Sequence, residues 1–539
     1  MVSAKYLQYL PCLRKLGIGV LGMANDSWNK VADSADIVEG KPFSLELSAE
    51  RSVLLLRKEG RLYAWDNACP HVGCPLSRGH IHGNEIICGC HNARFDITTG
   101  KMLSAPAIDD LPAYDVREQD DAVYLGSQQP ATFAMPAGKD SRTAVIIGAG
   151  AGGNAAAESL RREGFAGRIV MITPEKERPY DRTLLSKSFL AGDTGFDAVA
   201  MRPESFYQEM QIELLTGRRA TEVLPVDRGV TLDDGSQVTA DFLVLATGAT
   251  PNRLTVSGAD LPGIFLLRSF ADSAALREAA VRAGNAVVIG AGFIGTEAAA
   301  YLSGRGVDVT VVAPESVLFE QVFGVEVGRR FVKMHEQGGV KLRLGSGVSR
   351  FSGNGTVKSV ELSDGSSISA DVVVVGIGVS PVVDYLKSSG LVEDGAVPVN
   401  GRLETAAPGV YAIGDIARVS GSKTAGDDAT GRIEHWVVAQ RHGQEVARTI
   451  VGKGTGPAYA PFFWTRQFET SFAYIGYAPE FDETRIDGDV RSGKFLIGYF
   501  KGGVLKAVGT IGKGKSVIRY GLMLDEGRKI TVKEFETGL

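Results

Sequence analysis

The chain places Cys69-Pro70-His71 sixteen residues before Cys88-Gly89-Cys90-His91. Read as C-x-H…C-x-x-H, this is two thiolates and two imidazoles in two short loops. Such a set binds metal only if the loops meet, so it dictates local fold before any periodicity is considered. A mixed Cys₂His₂ set suits zinc or a two-iron cluster. A cluster with two cysteines on one iron and two histidines on the other needs one Cys and one His from each loop. Zinc fingers group a Cys pair and then a His pair. The spacing favours iron.

The flanks are Gly73, Pro75 and Leu76 after the first loop, and Phe95-Asp96 and Gly100 after the second. With them, residues 29 to 128 resemble Rieske ferredoxin domains. The resemblance implies an all-β domain with a [2Fe–2S] cluster held by Cys69, His71, Cys88 and His91. His80 and His82 lie between the loops at the wrong offsets and read as surface residues. Cys74 and Cys90 sit where respiratory Rieske proteins carry a disulfide between the cluster loops, which implies a Cys74–Cys90 bridge here. Asn92-Ala93-Arg94 replaces the Gly-Ser of that type. Losing its hydroxyl donor should lower the potential within the Rieske range of about −150 to +300 mV.

At 539 residues the chain has room for several domains with full cores. Its 44% hydrophobic and 22% charged content is that of a globular protein, and a net charge of −5 gives no reason to expect nucleic acid. No apolar run is long enough to span a membrane. Residues 1 to 25 carry Lys5, Arg14 and Lys15 and no acid. An acid-poor basic leader can be a mitochondrial presequence. With one Arg and an interrupting Pro11, residues 1–28 read in preference as an unstructured leader of a cytoplasmic protein. Gly126 through Pro130 and Pro136 through Ser141 are polar and aperiodic, and a linker is expected over 129–142.

Ala144-Val145-Ile146-Ile147 then runs into Gly148, Gly150 and Gly153, followed by an Ala-rich stretch. Strand, G-x-G-x-x-G and helix in that order bring backbone close to a pyrophosphate at a helix N-terminus. A second strand, 168–173, leads to Glu175, placed to accept from a ribose hydroxyl. The pattern recurs 142 positions on, with Ala286–Ile289 before Gly290, Gly292 and Gly295, and a strand 309–312 before Glu315. One such motif is weak evidence; two in matching context predict two dinucleotide sites.

Thr247-Gly248 closes the strand 242–246, Gly376-Ile377-Gly378 precedes Pro381, and Val410–Gly414 ends in Asp415, where an acid at a helix start can bond a flavin ribityl chain. This set resembles the two-dinucleotide-binding-domain flavoproteins. The resemblance implies an FAD domain in two parts (143–262 and 388–450), an inserted NAD(P)H domain (263–387) and a C-terminal α+β reductase domain (451–539). Leu496–Phe500 and Val504–Thr510, joined by Gly502-Gly503, read as a hairpin. Glu175-x-x-Arg178-Pro179-Tyr180-Asp181-Arg182 with Leu185-Ser186-Lys187 looks like the FAD segment of oxygenase-coupled ferredoxin reductases and apoptosis-inducing-factor-like proteins. Glu434-His435-Trp436 and Phe463-Trp464 match the latter branch, and with a Rieske domain in front the chain resembles its Rieske-containing member.

The resemblance implies electron flow from NAD(P)H through FAD to the cluster. A nicotinamide delivers two electrons at once, a Rieske cluster accepts one, and a flavin handles both. Lys187 and Glu297 match a pair near flavin N5, with roles in orienting the nicotinamide and tuning the flavin. Arg182, Glu434, His435, Trp436 and Trp464 are further expected cofactor contacts. The five cysteines are Cys12, Cys69, Cys74, Cys88 and Cys90. None lies beside the flavin motifs, which excludes a glutathione-reductase-like dithiol. No Arg stands by Glu315 to hold a 2′-phosphate, so NADH is the expected donor. His335, His435 and His442 lie in separate regions, so no mononuclear oxygenase iron is expected. Two functions follow. The favoured one is an oxidoreductase feeding an oxygenase, a cytochrome or a soluble one-electron acceptor. The other is a redox signalling protein whose NADH-reduced form controls homodimerisation.

Overall fold

The computed structural model describes residues 28–131, 135–192, 194–420 and 431–538. The leader, with its targeting alternative, lies outside them apart from Trp28. The chain divides into two units. One runs to Pro136 and includes Gly514–Tyr520, and the other comprises Ala137–Lys513 and Gly521–Leu539.

Residues 29–129 of the first unit are built on β-strands. Strands β1 (Asn29–Asp33), β2 (Phe43–Ser48), β3 (Arg51–Lys58), β4 (Arg61–Asp66), β5 (His80–His82), β6 (Glu85–Ile87), β7 (Arg94–Asp96), β8 (Met102–Ser104), β9 (Ala113–Gln119) and β10 (Ala122–Gln129) form two antiparallel sheets. Their orders are β1-β10-β9-β4-β3-β2 and β5-β6-β7-β8. Strand β3 reads Val-Leu-Leu-Leu because both its faces are covered. Val53 and Leu55 join Tyr114 and Val123 in one core, while Leu54 and Leu56 join Trp65, Phe95 and the two cluster cysteines in the other. Gly100 has φ +69° and lies against the Trp65 ring, where a Cβ would stand 2.5 Å from a ring carbon.

One expectation is corrected here. Gly126 to Gln129 belong to β10, not to a linker, with Gln128 opposite Tyr114 and Gln129 opposite Ala113. Ser127 Oγ and Gln129 Nε2 both donate to Asp115. Beyond Leu125, where the pairing with β1 stops, β10 is held by its ladder to β9 and by polar cross-strand pairs, which leave no apolar alternation to read.

The second unit repeats one construction twice. In the first copy, β11 (Thr143–Ile147) enters the glycine turn, α1 (Ala151–Arg162) follows, and β12 (Arg168–Thr173) and β13 (Ile212–Thr216) extend a parallel sheet. On the other side of β11 lie strands Phe242–Leu245 and Val410–Ala412. The glycine turn therefore sits where strand order reverses, the usual ligand crevice of such sheets. In the second copy, strand Asn285–Ile289 is flanked by Asp308–Ala313 and Val372–Val375, all parallel. A two-stranded ribbon, Ala249–Pro251 with Val379–Pro381, carries the chain between the copies. A five-stranded antiparallel sheet over 462–511 and helices Gly514–Asp525 and Val532–Glu536 complete the chain. Its Lys494–Lys501 and Val504–Ile511 strands form the expected hairpin, with Gly502 and Gly503 at positive φ.

Candidate functional site

The two cluster loops are built alike. Cys69 N–H donates to Cys74 O and Gly73 N–H to Cys69 O; Cys88 N–H donates to Ala93 O and Asn92 N–H to Cys88 O. The fifth residue of each turn has positive φ, Gly73 at 78° and Asn92 at 61°. Gly and Asn adopt this conformation most readily. The turns bury the Cys69 and Cys88 thiols within hydrogen-bonding reach of each other. They also bring His71 Nδ1 to 3.2 Å from His91 Nδ1, with the rings edge to face. Two thiols and two imidazoles therefore converge as two like pairs, the donor set of a Rieske cluster and not of a dispersed zinc site. The hydrogen bond from the Cys69 thiol, which is itself pushed up, lowers Cys88 to about 7, and desolvation lowers the His71 imidazole to about 4. Metal is bound by thiolate and neutral imidazole, so Cys88 and His71 lean toward their binding forms while Cys69 must give up its proton on binding. Cys74 and Cys90 form a disulfide, as the resemblance implied. Their sulfurs lie close to that of Cys88 but are committed to that bond. His82 is exposed and His80 half-buried, in β5, and neither joins the ligand group.

At the first nucleotide turn Gly148 has φ +112°, and an added Cβ would lie 2.2 Å from Ala246 O. A Cβ on Gly153 would lie 1.9 Å from Gly148 O, so only glycine lets α1 pack this closely on its strand. Gly150 is the N-cap of α1 and offers no side-chain cap, leaving the first N–H groups open to a phosphate. Gly443, on helix Trp436–Ile450, packs against α1, its Cβ position 2.3 Å from Gly152 O. Glu175 follows β12 and accepts from both Arg182 and the Tyr180 hydroxyl. Thr247 Oγ1 donates to Val382 O at 2.7 Å, and Gly248 has φ +68°. Asp415 Oδ2 accepts from Arg268 at 3.0 Å in the same neighbourhood.

The second turn follows the same rules, with Gly290 at φ +112° and its Cβ position 2.2 Å from Gly376 O. Gly295 would place a Cβ 2.9 Å from Gly290 O, while Gly292 faces open space. Gly378 has φ +90° beside Asn252. Glu315 is half-buried just beyond strand Asp308–Ala313.

Glu297, on helix Phe293–Gly304, is nearly fully buried and engages three side chains from two other parts of the chain. Oε2 accepts from Lys187 Nζ and Ser186 Oγ, both at 2.6 Å, and Oε1 accepts from Thr465 Oγ1 at 2.7 Å. His435 packs on Phe463 at 4.3 Å between centroids, and burial lowers it to about 4. Glu434 pairs with Arg432. Trp436 and Trp464 are half-buried, the latter 6.2 Å from the Phe462 ring. Thr465 and Gln467 were not expected as site residues, and Ser186 was quoted only as part of the Leu185-Ser186-Lys187 motif. No motif marks Thr465 or Gln467, because they meet Glu297 and its neighbours only through tertiary folding.

These features define a flavin- and pyridine-nucleotide-dependent oxidoreductase with a Rieske iron–sulfur domain. The chain belongs to the pyridine nucleotide–disulphide oxidoreductase family, which residues 142–443 match. Residues 27–115 match the Rieske [2Fe–2S] domain and 462–536 the reductase C-terminal domain. Apoptosis-inducing factor 3 of Homo sapiens is 34% identical over 517 residues, covering 93% of this chain and 84% of that one. A ferredoxin–NAD(P)+ reductase of Sphingomonas sp is 35% identical over 376 residues, 70% of this chain and 91% of that one. Among solved structures, the covalent putidaredoxin reductase–putidaredoxin complex superposes with a TM-score of 0.70 at 27% identity, covering 73% of this chain and 95% of that one. A ferredoxin reductase of Rhodopseudomonas palustris gives 0.69 at 32%, covering 72% and 96%. A [2Fe–2S] cluster, FAD and NAD(P)H are thus the cofactors of an FAD-dependent NAD(P)H oxidoreductase. Among the described residues no helix is long and apolar enough to cross a membrane.

Proposed function

We propose that the protein takes electrons from NADH through FAD to its own Rieske cluster and passes them singly to an external acceptor. The observation that carries this is the paired thiol–imidazole set on the same polypeptide as both nucleotide folds. One relative in this fold class is known as a reductase joined to a separate putidaredoxin. Here a Rieske domain in the same chain would take the electron-accepting role. When bound, the nicotinamide supplies a two-electron hydride, the flavin accepts pairs and releases single electrons, and the cluster takes one.

The residues divide the work. Gly148, Gly150 and Gly153 admit the FAD pyrophosphate to the start of α1, Glu175 and Arg182 hold its ribose end, and Thr247, Gly248 and Asp415 face the ribityl and flavin side. Gly290, Gly292, Gly295 and Gly378 do the same for the nicotinamide nucleotide. Glu315 accepts from the adenosine 2′-hydroxyl, which favours NADH. Lys187, neutralised by Glu297, orients the nicotinamide against the flavin and sets the local field; hydride transfer requires no acid or base from either. Glu434, His435, Trp436 and Trp464 wall the reacting region and exclude water. Cys69, His71, Cys88 and His91 hold the iron. The experiment is NADH-driven reduction of cytochrome c by wild type and His91→Ala, both with FAD retained. Turnover should fall at least tenfold in the variant; unchanged turnover would overturn the route through the cluster.

A second reading is favoured by the likeness to apoptosis-inducing factor 3 and by Glu434-His435-Trp436. In it, a slowly reoxidised NADH-reduced form controls homodimerisation. An NADH-dependent doubling of mass on size exclusion, with reoxidation over minutes, would support it against the enzyme.

A further inference from the structure

Behind Glu297 lies a chain of buried polar groups that the proposed function does not use. Thr465 Oγ1, which donates to Glu297 Oε1, lies 3.3 Å from Gln467 Nε2. The same amide nitrogen donates to Thr296 Oγ1 at 2.8 Å, and Thr296 in turn donates to Gly292 O at 2.8 Å. Gln467 Oε1 lies 2.6 Å from His335 Nε2. His335, Gln467 and Thr296 are wholly inaccessible to solvent. His335 Nδ1 has no hydrogen-bond partner among the described residues, and its ring packs edge to face on Phe468.

This geometry permits one economical proton arrangement. A buried N–H with no acceptor costs more than a buried bare ring nitrogen with one unused lone pair. His335 therefore carries its proton on Nε2 and donates to Gln467 Oε1. That fixes the amide with its NH₂ toward both threonines. Each threonine hydroxyl has one proton, and neither proton is drawn to Gln467. Thr465 is left to donate to Glu297. Were the amide reversed, its oxygen would compete for the Thr465 proton, and Glu297 Oε1 would lose its donor.

We infer that His335 is a positioning residue. Through Gln467 and Thr465 it dictates which way the hydrogen bonds run into the Glu297 carboxylate, and so holds the Lys187–Glu297 pair in its hydride-transfer geometry. This rests on the assignment of Lys187 and Glu297 to the reacting site. The role belongs to a neutral histidine some three side chains removed from the cofactors.

The test is a double-mutant cycle on the FAD-loaded full chain, reading flavin reduction by NADH in a stopped-flow instrument. His335→Phe and Thr465→Val should each slow the step about tenfold, the worth of one hydrogen bond to a buried charge. The double variant should be no more than about twofold slower than the slower single, because both remove one interaction. His335→Gln, whose amide can still donate, should recover most of the rate. Multiplying effects, or wild-type speed in His335→Phe, would overturn the inference. If that variant does not fold, Gln467→Met takes its place in the same cycle. A second readout needs no turnover. Histidine ¹⁵N spectra of the holoprotein should show His335 protonated at Nε2 and bare at Nδ1; the opposite tautomer would refute the relay. Should Glu297→Gln itself leave hydride transfer untouched, the site assignment fails; should it slow the step while His335→Phe does not, only the relay fails.

Discussion

Lys187 Nζ lies 2.6 Å from Glu297 Oε2, and the two side chains are 13% and 3% exposed. One lies beyond the first glycine turn and the other on helix Phe293–Gly304, which follows the second glycine turn, 110 positions later. Burying a charge pair this deeply is costly unless further hydrogen bonds satisfy it. Ser186 and Thr465 supply two on the carboxylate, and Thr183 O accepts from the ammonium at 3.0 Å. Like Arg268–Asp415, this ion pair joins residues of the two nucleotide folds.

Removing one partner should therefore harm both stability and rate. Glu297→Gln leaves a largely buried ammonium without its counter-charge, and about 3 kcal/mol of stability should be lost. Lys187→Met with Glu297→Gln should regain most of that stability, measured by thermal denaturation, while flavin reduction by NADH stays at least tenfold slow. Recovery of rate in the double variant would show the pair to be structural only.

The glycines divide by what surrounds them. Gly153→Ala drives a methyl into Gly148 O at 1.9 Å, so the protein should purify without yellow FAD. Gly292 has nothing within 4 Å, so Gly292→Ala should fold and keep FAD. Its loss should appear as a several-fold higher KM for NADH, where backbone and pyrophosphate meet.

The Cys74–Cys90 bridge closes a short loop across the cluster, with Cys90 exposed. Alkylation of the denatured, cluster-free protein without reductant should modify Cys12, Cys69 and Cys88, with two further sites only after reduction. A loop of this size contributes about 3 kcal/mol by restricting the unfolded chain. Cys90→Ser should thus shorten the half-life of the cluster absorption severalfold on warming.

Coenzyme choice should rest on Glu315. Wild type should give a kcat/KM for NADH at least tenfold above that for NADPH. Glu315→Ala should erode that ratio mostly through NADH, since the lost acceptor is specific to a free 2′-hydroxyl. Steady-state assays with both coenzymes decide it, and a preference for NADPH in the wild type would reverse the assignment.

Much of this was legible in the chain itself. The four residues proposed as cluster ligands could be singled out because C-x-H and C-x-x-H are local, and each lies in one five-residue turn. Strand 168–173 appears at its expected bounds, since its Ile169–Ile172 run is buried and continuously apolar. The disulfide came through resemblance, as cysteine positions alone do not choose partners. What escaped was tertiary. Gln467 and His335 stand 132 positions apart and Thr465 lies 168 from Glu297, each an ordinary residue in its own strand or helix. Gly126–Gln129 escaped for another reason: this polar end of β10 is specified by the backbone of β9 and not by its own side chains.

On the proposed route, NADH electrons reach the Rieske cluster within one polypeptide. Anaerobic addition of NADH to the fully loaded protein, followed by freezing and electron paramagnetic resonance, tests it directly. The rhombic signal of a reduced Rieske centre should approach one spin per chain, and it should be lost in His91→Ala. A flavin that bleaches fully while the cluster stays silent would contradict that route.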